Sequence, residues 1–458
     1  MANSTRRTFL RQCGQGLSAL AASNALPANA TAQHPNIVFI MADDLGYGDP
    51  GCYGSQDIQT PNIDALAQQG VRFTQYYANA AECTPTRAAL LTGRYQQRLG
   101  GLECAIGFGN VGRYDDAIRL REHNQLGLPA TEITISMLLK QAGYRTGVTG
   151  KWHLGYEEKF HPSHHGFDYS WGPLGGGVDY FHHVEPDGWH TLQKNGSEIH
   201  AKGYMTELIT EEAVDFIRRE QGNPFFLYAP YTAPHTPYQG PDDKAETHKT
   251  LDDFNKGDRY TYIKMVESLD RGVGEILREL KTRHLEENTL VIFASDNGGA
   301  KYADNGELNK GKGTLYEGGI RVPCVIRWPR RIAPGSVSDR VCLTLDLSAS
   351  IINAAGIEPP SEKPFDGIDV ISSLEKQDEV PRTLYFRNRR GARTWRAVRK
   401  EKWKYLSLQD GDQFEDYLFD LSADPGEKYD VRRDHSNIFD GLKKQLFSWE
   451  NEMKQTMR

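Results

Sequence analysis

The sequence predicts an α/β chain. It reads as one large, mostly parallel (mixed) sheet flanked by helices, followed by a smaller C-terminal antiparallel sheet plus one helix. Three observations carry this. Four short apolar runs suit strands buried on both faces. Helical stretches alternate with those runs. Towards the C-terminus the pattern changes to short alternating strands separated by polar turns.

In chain order, residues 36–41 (NIVFIM) form the first strand and run into Asp43 and Asp44. A helix follows over 61–69, with Thr60 as its N-cap and Gly70 as its stop. Residues 135–142 are bracketed in the same way by Thr134 and Gly143. The second strand, 145–149, leads into Gly150-Lys151-Trp152-His153. A helix over 205–220 precedes the third strand, 224–229 (PFFLYA), which enters the proline-rich loop that carries His235. A long helix over 259–283 precedes the fourth, 289–294 (TLVIFA), which runs into Asp296 and Asn297. Ligands of such sheets bind beyond the carboxyl ends of the strands, so these four polar clusters are expected to share one cleft. The segments LYFRN, TWRAVRK, KWKYLSL and DYLFDL supply the C-terminal sheet, and 438–454 its amphipathic helix. The organisation expected is a leader over 1–32, a large domain over 33–376 and a C-terminal unit over 377–458. There is no internal repeat and no low-complexity tract.

Composition bounds the function. The formal charge of the 458-residue chain is −7, and without Arg6, Arg7 and Arg11 of the leader it becomes −10. A net acidic protein has no global field to attract nucleic acid, so no nucleic-acid partner is expected. An anionic substrate must be held by local cations. No apolar run is long enough to span a membrane. The leader, Ser4-Thr5-Arg6-Arg7-Thr8-Phe9-Leu10-Arg11 followed by GQGLSALAASNA and ANATA, resembles a bacterial twin-arginine export signal cleaved near Ala30 or Ala32. The destination implied is periplasmic or secreted. After export Cys52 can pair with Cys104, or Cys324 with Cys342, or all can stay as buried thiols.

The densest chemistry lies in Cys83-Thr84-Pro85-Thr86-Arg87, continued by AALLTGR. It places a thiol at a turn, a proline suited to opening a helix, and a guanidinium one turn further on. A helix N-terminus offers unpaired N–H groups, and arginine adds a fork of donors suited to tetrahedral oxyanions. The residues alone therefore suggest a reactive group beside an anion site. Asp43, Asp44, Asp296 and Asn297 are hard oxygen ligands that suit Ca²⁺ or Mg²⁺ rather than zinc.

The string C-x-P-x-R followed by L-T-G-R resembles the signature of type I sulfatases, and GKWHLG resembles the second signature of that family. The resemblance implies an alkaline-phosphatase-like fold. It implies that Cys83 is oxidised by a maturase to Cα-formylglycine, whose hydrate is the nucleophile. It implies Ca²⁺, with Mg²⁺ second, held by Asp43, Asp44, Asp296, Asn297 and the modified Cys83. Arg87 and Lys151 are then expected to hold sulfate, His153 to take a proton, and His235 to protonate the leaving alcohol with help from Lys312. Lys312 lies in GKGTLYEGG, and Lys310 competes with it for that role. The segment around Asp179, Tyr180, His182 and His183 resembles a substrate-recognition stretch of sulfatases acting on N-acetylgalactosamine sulfates. The 103–121 insertion and Asn388-Arg389-Arg390 are expected to border a subsite, with Arg389 as a substrate contact. A sulfated sugar or glycan is the substrate implied. The rival readings are a phosphonate or phosphate diester hydrolase of the same superfamily and a non-catalytic protein that binds sulfated glycans.

Overall fold

A computed structural model describes residues 34–220, 222–243, 251–376 and 381–456. The expected leader and the boundary at Gln377 lie outside the described residues. The strands in chain order are β1 (Asn36–Ala42), β2 (Val71–Phe73), β3 (Tyr76–Tyr77), β4 (Arg145–Thr149), β5 (Tyr169–Pro173), β6 (Leu192–Lys194), β7 (Ser197–Glu198) and β8 (Phe225–Pro230). They continue as β9 (Thr289–Ser295), β10 (Cys324–Arg327), β11 (Ser336–Ser338), β12 (Cys342–Leu343), β13 (Thr383–Arg390), β14 (Arg393–Lys400), β15 (Trp403–Asp410) and β16 (Gln413–Asp420). The main sheet has the order β11-β2-β10-β9-β1-β8-β4-β5-β6-β7. Its centre, β9-β1-β8-β4-β5, is parallel throughout, and antiparallel strands flank it on both sides. β3 and β12 pair separately.

The period-two alternation of side chains explains why the central strands read as unbroken apolar runs. Ile37, Phe39 and Met41 of β1 pack on one face with Leu90, Leu91, Leu139 and Leu347. Val38 and Ile40 pack on the other with Leu66, Ile209, Leu269 and Val273. Helices α1 (Pro61–Gln68), Met205–Glu220 and Arg259–Thr282 therefore cover one face. Helices α2 (Cys83–Thr92), Ile135–Gln141 and Thr344–Ala354 cover the other. In consequence β9, β1, β8 and β4 end side by side on one edge of the sheet.

One expected cap fails. Thr134 accepts from the N–H of Met137, as the sequence predicts, but Thr60 makes no such bond to α1. Its hydroxyl accepts from Gly51 N–H and donates to Asp64. The open end of α1 is satisfied from a distance, because the Asp270 carboxylate accepts from the N–H groups of Asn62 and Ile63. A buried carboxylate supplied by another helix does the capping work here. The five cysteines among the described residues are free thiols, and no disulfide joins any of them.

The C-terminal sheet runs β13-β14-β15-β16, antiparallel, with the helix Ser436–Thr456 packed on it through Leu442, Leu446, Trp449 and Met453. The same cluster includes Tyr77, Leu315, Ile320 and Leu345, so the small sheet shares its core with the large one. Arg387 on β13 clamps the two. Its guanidinium donates to Glu103 at 2.6 and 2.8 Å and to Glu450 at 3.1 Å, and all three side chains are buried. Breaking a buried ion pair costs more than the pair's net worth, because the partner stays buried and charged. Arg387→Met is expected to lower the unfolding free energy by about 3–5 kcal/mol in urea denaturation; a loss below about 1 kcal/mol would show that Glu103 needs no counter-charge there.

Candidate active site

The four strand ends meet as the alternation predicts. Asp43 and Asp44 follow β1, Asp296 and Asn297 follow β9, Lys151 and His153 follow β4, and the loop bearing His235 follows β8. The first three carboxylates and Asn297 are buried. Gly150 makes the sharp exit from β4 possible, since a Cβ there would lie 2.0 Å from the Pro230 carbonyl, and its φ is +131°. Asp44 and His153 hold φ of +68° and +57°, a conformation that costs a non-glycine residue roughly 1 kcal/mol. Two such residues in one site mark a backbone shaped by what it must present.

Helix α2 enters from the side with Cys83 at its first position. The Cys83 thiol donates to Asp43 Oδ1 at 3.3 Å. Arg87, one turn on and fully buried, donates to Asp296 Oδ2 from Nε at 3.0 Å and Nη2 at 2.8 Å, and to the Lys151 carbonyl at 2.8 Å. Lys151 pairs with Asp43, and Lys312 donates to Asp44 Oδ2 at 2.7 Å. Lys310 is exposed, so the lysine in the site is Lys312. Thr84 ties the helix to both neighbouring loops: its hydroxyl donates to the His153 carbonyl and accepts from Ile106 N–H.

The charges act on one another. Burial pushes Asp44 up, but Lys312 and His235 outweigh it and bring it down to about 2. Burial and the Asp43 charge push Asp296 up to about 6 against the pull of Arg87. Burial also drives the Cys83 thiol well above its ordinary value, so a thiolate is not the form present. His153 is held far below its ordinary value by burial and by Lys151. His235 is brought down to about 3 by burial and by Lys312, against Asp44. Both imidazoles are therefore neutral, and carbonyls fix their tautomers. His153 Nε2–H donates to the Ile106 carbonyl at 2.8 Å, which leaves Nδ1 as the basic atom, buried and without a partner. His235 Nδ1–H donates to the Thr236 carbonyl at 2.7 Å, which leaves Nε2 facing Asp44 at 3.7 Å.

These residues fit a hard divalent cation. Ligand atoms of Asp43, Asp44, Cys83 and His235 lie within 4.8 Å of one another. Asn297 Nδ2 donates to Asp44 Oδ1 at 2.8 Å, while its Oδ1 is buried with no partner. An amide oxygen left unsatisfied beside carboxylates is a ligand waiting for a cation.

Above this floor opens a cleft of about 830 Å³, walled by Phe108, Arg113, Tyr238, Lys301 and Arg390 among others. A second cavity, about 620 Å³ and bordered by Val341, Arg382 and Arg399, is lined by none of the strand-end residues. The segment expected to contact substrate makes hydrogen bonds within itself and to neighbouring loops. Asp179 accepts from Phe181 N–H and Gln239, and Tyr180 donates to the carbonyls of Thr232 and His235. His182 folds onto Asp179, and His183 donates to the Gly203 carbonyl. None of the four lines the cleft, and Asp179 and Tyr180 brace the His235 loop. Only Gly176 of that stretch lines the cleft, and a Cβ on it would lie 2.4 Å from the His153 ring. Arg389 likewise turns away to Asp116 at 2.9 Å, and Arg390 takes its place on the wall. Strand parity explains the exchange. Arg387 and Arg389 share one face of β13, whereas Asn388 and Arg390 share the face that meets Glu82.

Comparison with known proteins places the chain in a family. A family profile described as Sulfatase matches residues 35–357, and one described as N-sulphoglucosamine sulphohydrolase, C-terminal, matches residues 309–452. The N-acetylgalactosamine-6-sulfatase of Canis lupus familiaris is 33% identical over 380 residues, covering 79% of this chain and 70% of that protein. An arylsulfatase of Hemicentrotus pulcherrimus is 29% identical, covering 94% of this chain and 83% of its own. The crystal structure of Ps i-CgsB superposes with a TM-score of 0.80 at 35% identity, covering 91% of this chain and 93% of that one. The same protein has also been solved in complex with k-i-k-neocarrahexaose.

Beneath the cleft, Glu185 accepts from Tyr156 OH at 2.7 Å and from Gly109 N–H at 3.0 Å, which anchors the 103–113 loop. Burial, opposed by those two donors, raises its carboxyl from 4.5 to about 7. The fold thus binds this proton more tightly than the unfolded chain, and stability falls as pH rises between those values. Glu185→Gln removes that slope. The stability difference between variant and parent is expected to move in the variant's favour by roughly 3 kcal/mol from about pH 4 to about pH 8. Parallel urea titrations at the two pH values check it, and a difference independent of pH would contradict it.

Proposed function

The chain belongs to the sulfatase family and is a sulfuric ester hydrolase acting on sulfated carbohydrate, and from that premise we propose how its site works. Cys83 is the precursor of Cα-formylglycine, and Asp43, Asp44, Asp296 and Asn297 hold Ca²⁺. The observation that carries this reading is the meeting of Cys83, Asp43, Asp44 and His235 at the cleft floor, beside the orphaned oxygen of Asn297. When bound, the ion would polarise a sulfate oxygen, and the hydrated aldehyde would supply the attacking hydroxyl. The chain's own groups do the rest. Arg87, fixed by Asp296, stays cationic beside residue 83 and orients it. Lys151 and Lys312, each paired with a carboxylate here, are the donors for sulfate oxygens. The negative charge of a bound sulfate ester favours a proton on His235 Nε2, which that atom then delivers to the leaving alcohol oxygen. His153 Nδ1 takes the proton whose loss expels sulfate and restores the aldehyde. The leader over 1–32 directs the protein out of the bacterial cytoplasm, to the periplasm or beyond. Maturation of Cys83 precedes export, because twin-arginine substrates cross the membrane folded.

Two measurements on one preparation test the proposal. After co-expression with a formylglycine-generating maturase, the peptide containing residue 83 is expected to carry the mass of the aldehyde. The same protein is expected to hydrolyse a sulfate monoester far faster than a phosphate diester. His235→Ala is expected to cost about 10²–10⁴-fold on a sulfated sugar and much less on nitrophenyl sulfate, whose leaving group needs no proton. Full activity with an unmodified thiol at residue 83, or a preference for the diester, would overturn the reading.

A further inference from the structure

Two arginines line the cleft besides the cations assigned above to the scissile sulfate. Arg113 comes from the 103–121 insertion and Arg390 ends β13. The two are neighbours, because Gly391 N–H donates to the Arg113 carbonyl at 2.6 Å. Arg113 Nε lies over Gly107, where a Cβ would stand 3.1 Å from it, and Gly107 itself lines the cleft. Among the described residues Arg113 makes no ion pair. Arg390 has Glu82 at 3.5 Å, but that carboxylate already accepts from Ala105 N–H at 2.8 Å, from the Cys104 thiol and from Asn388. Lys301 adds a third cation to the same wall. A chain of net charge −7 has thus placed adjacent like charges at the mouth of one cleft, with a single, largely saturated carboxylate beside them. Guanidinium groups so placed match the paired oxygens of a carboxylate or sulfate, and clustered cations attract such a ligand.

We infer that Arg113 and Arg390 form a second anion subsite, so that the substrate is a glycan with a further acidic group, a uronate carboxylate or a second sulfate, next to the sugar bearing the scissile ester. This rests on the sulfatase reading above. The two arginines are specificity-determining residues, since they reach the part of the substrate that does not react.

The test compares three oligosaccharides of equal length, each with one scissile sulfate. The neighbouring sugar is neutral in the first, a uronate in the second and sulfated in the third. The matured wild-type protein is expected to favour the second or third over the first at least tenfold in kcat/KM, mostly through KM, and rising salt is expected to erode that preference. Whichever of the two leads identifies the anion. Arg113→Gln, Arg390→Gln and the double variant, each shown to keep the parental Tm, are expected to reduce that preference, at least tenfold in the double variant. Equal loss on all three substrates, or no preference in the wild type, overturns the inference and leaves the sulfatase reading intact. A wild-type protein that hydrolyses none of the three but cleaves a phosphate diester overturns both.

Discussion

Three carboxylates buried side by side, those of Asp43, Asp44 and Asp296, are the constraint on which the rest of this structure depends. Such a cluster is prohibitively costly unless cations surround it. The chain supplies three: Arg87 on Asp296, Lys151 on Asp43 and Lys312 on Asp44. The protein's own charges therefore balance before any ligand arrives. A divalent cation would add two positive charges to that balance and the sulfate ester one negative charge. Each therefore lessens the excess buried charge that the other would leave. The geometry thus couples affinity for the metal to affinity for the sulfate, and that coupling is reciprocal.

The sheet exists in the form that meets this constraint. Its parallel centre brings the ends of β9, β1, β8 and β4 together, although their residues lie far apart in the chain. Backbone conformation follows. Asp44 and His153 accept left-handed φ, and Gly150 and Gly176 give up side chains so that a carbonyl and an imidazole can come close. The outer shell then fixes the protons. Carbonyls of Ile106 and Thr236 choose which nitrogen of each histidine is basic, and Tyr180 and Asp179 hold the loop on which one of those histidines sits.

The gathering of the floor residues was legible in the sequence, and the placing of the wall residues was not. Asp43, Lys151, His235 and Asp296 each follow an apolar strand, so the order of strands and the parallel-sheet rule were enough to bring them together. The walls depend on tertiary choices that leave no local mark. Asp179 and Tyr180 have the composition of a sugar-binding loop, yet their polar atoms are taken by their own turn and by the His235 loop. Arg389 and Arg390 are adjacent and chemically alike; which one faces the cleft is set by the Arg387–Glu103 clamp, through strand parity. Thr60 looks like a cap, and Asp270 does that work from another helix.

The account stands on the buried acidic centre being a metal site. Elemental analysis of the purified protein, with thermal unfolding before and after exhaustive chelation, tests this most directly. The account predicts about one calcium per chain and a loss of roughly 3 kcal/mol of stability on chelation, restored by Ca²⁺. It also predicts that Asp296→Ala, which removes a ligand, abolishes both the metal and the response to chelator. Protein free of metal, with an unchanged Tm and full activity after chelation, would contradict it.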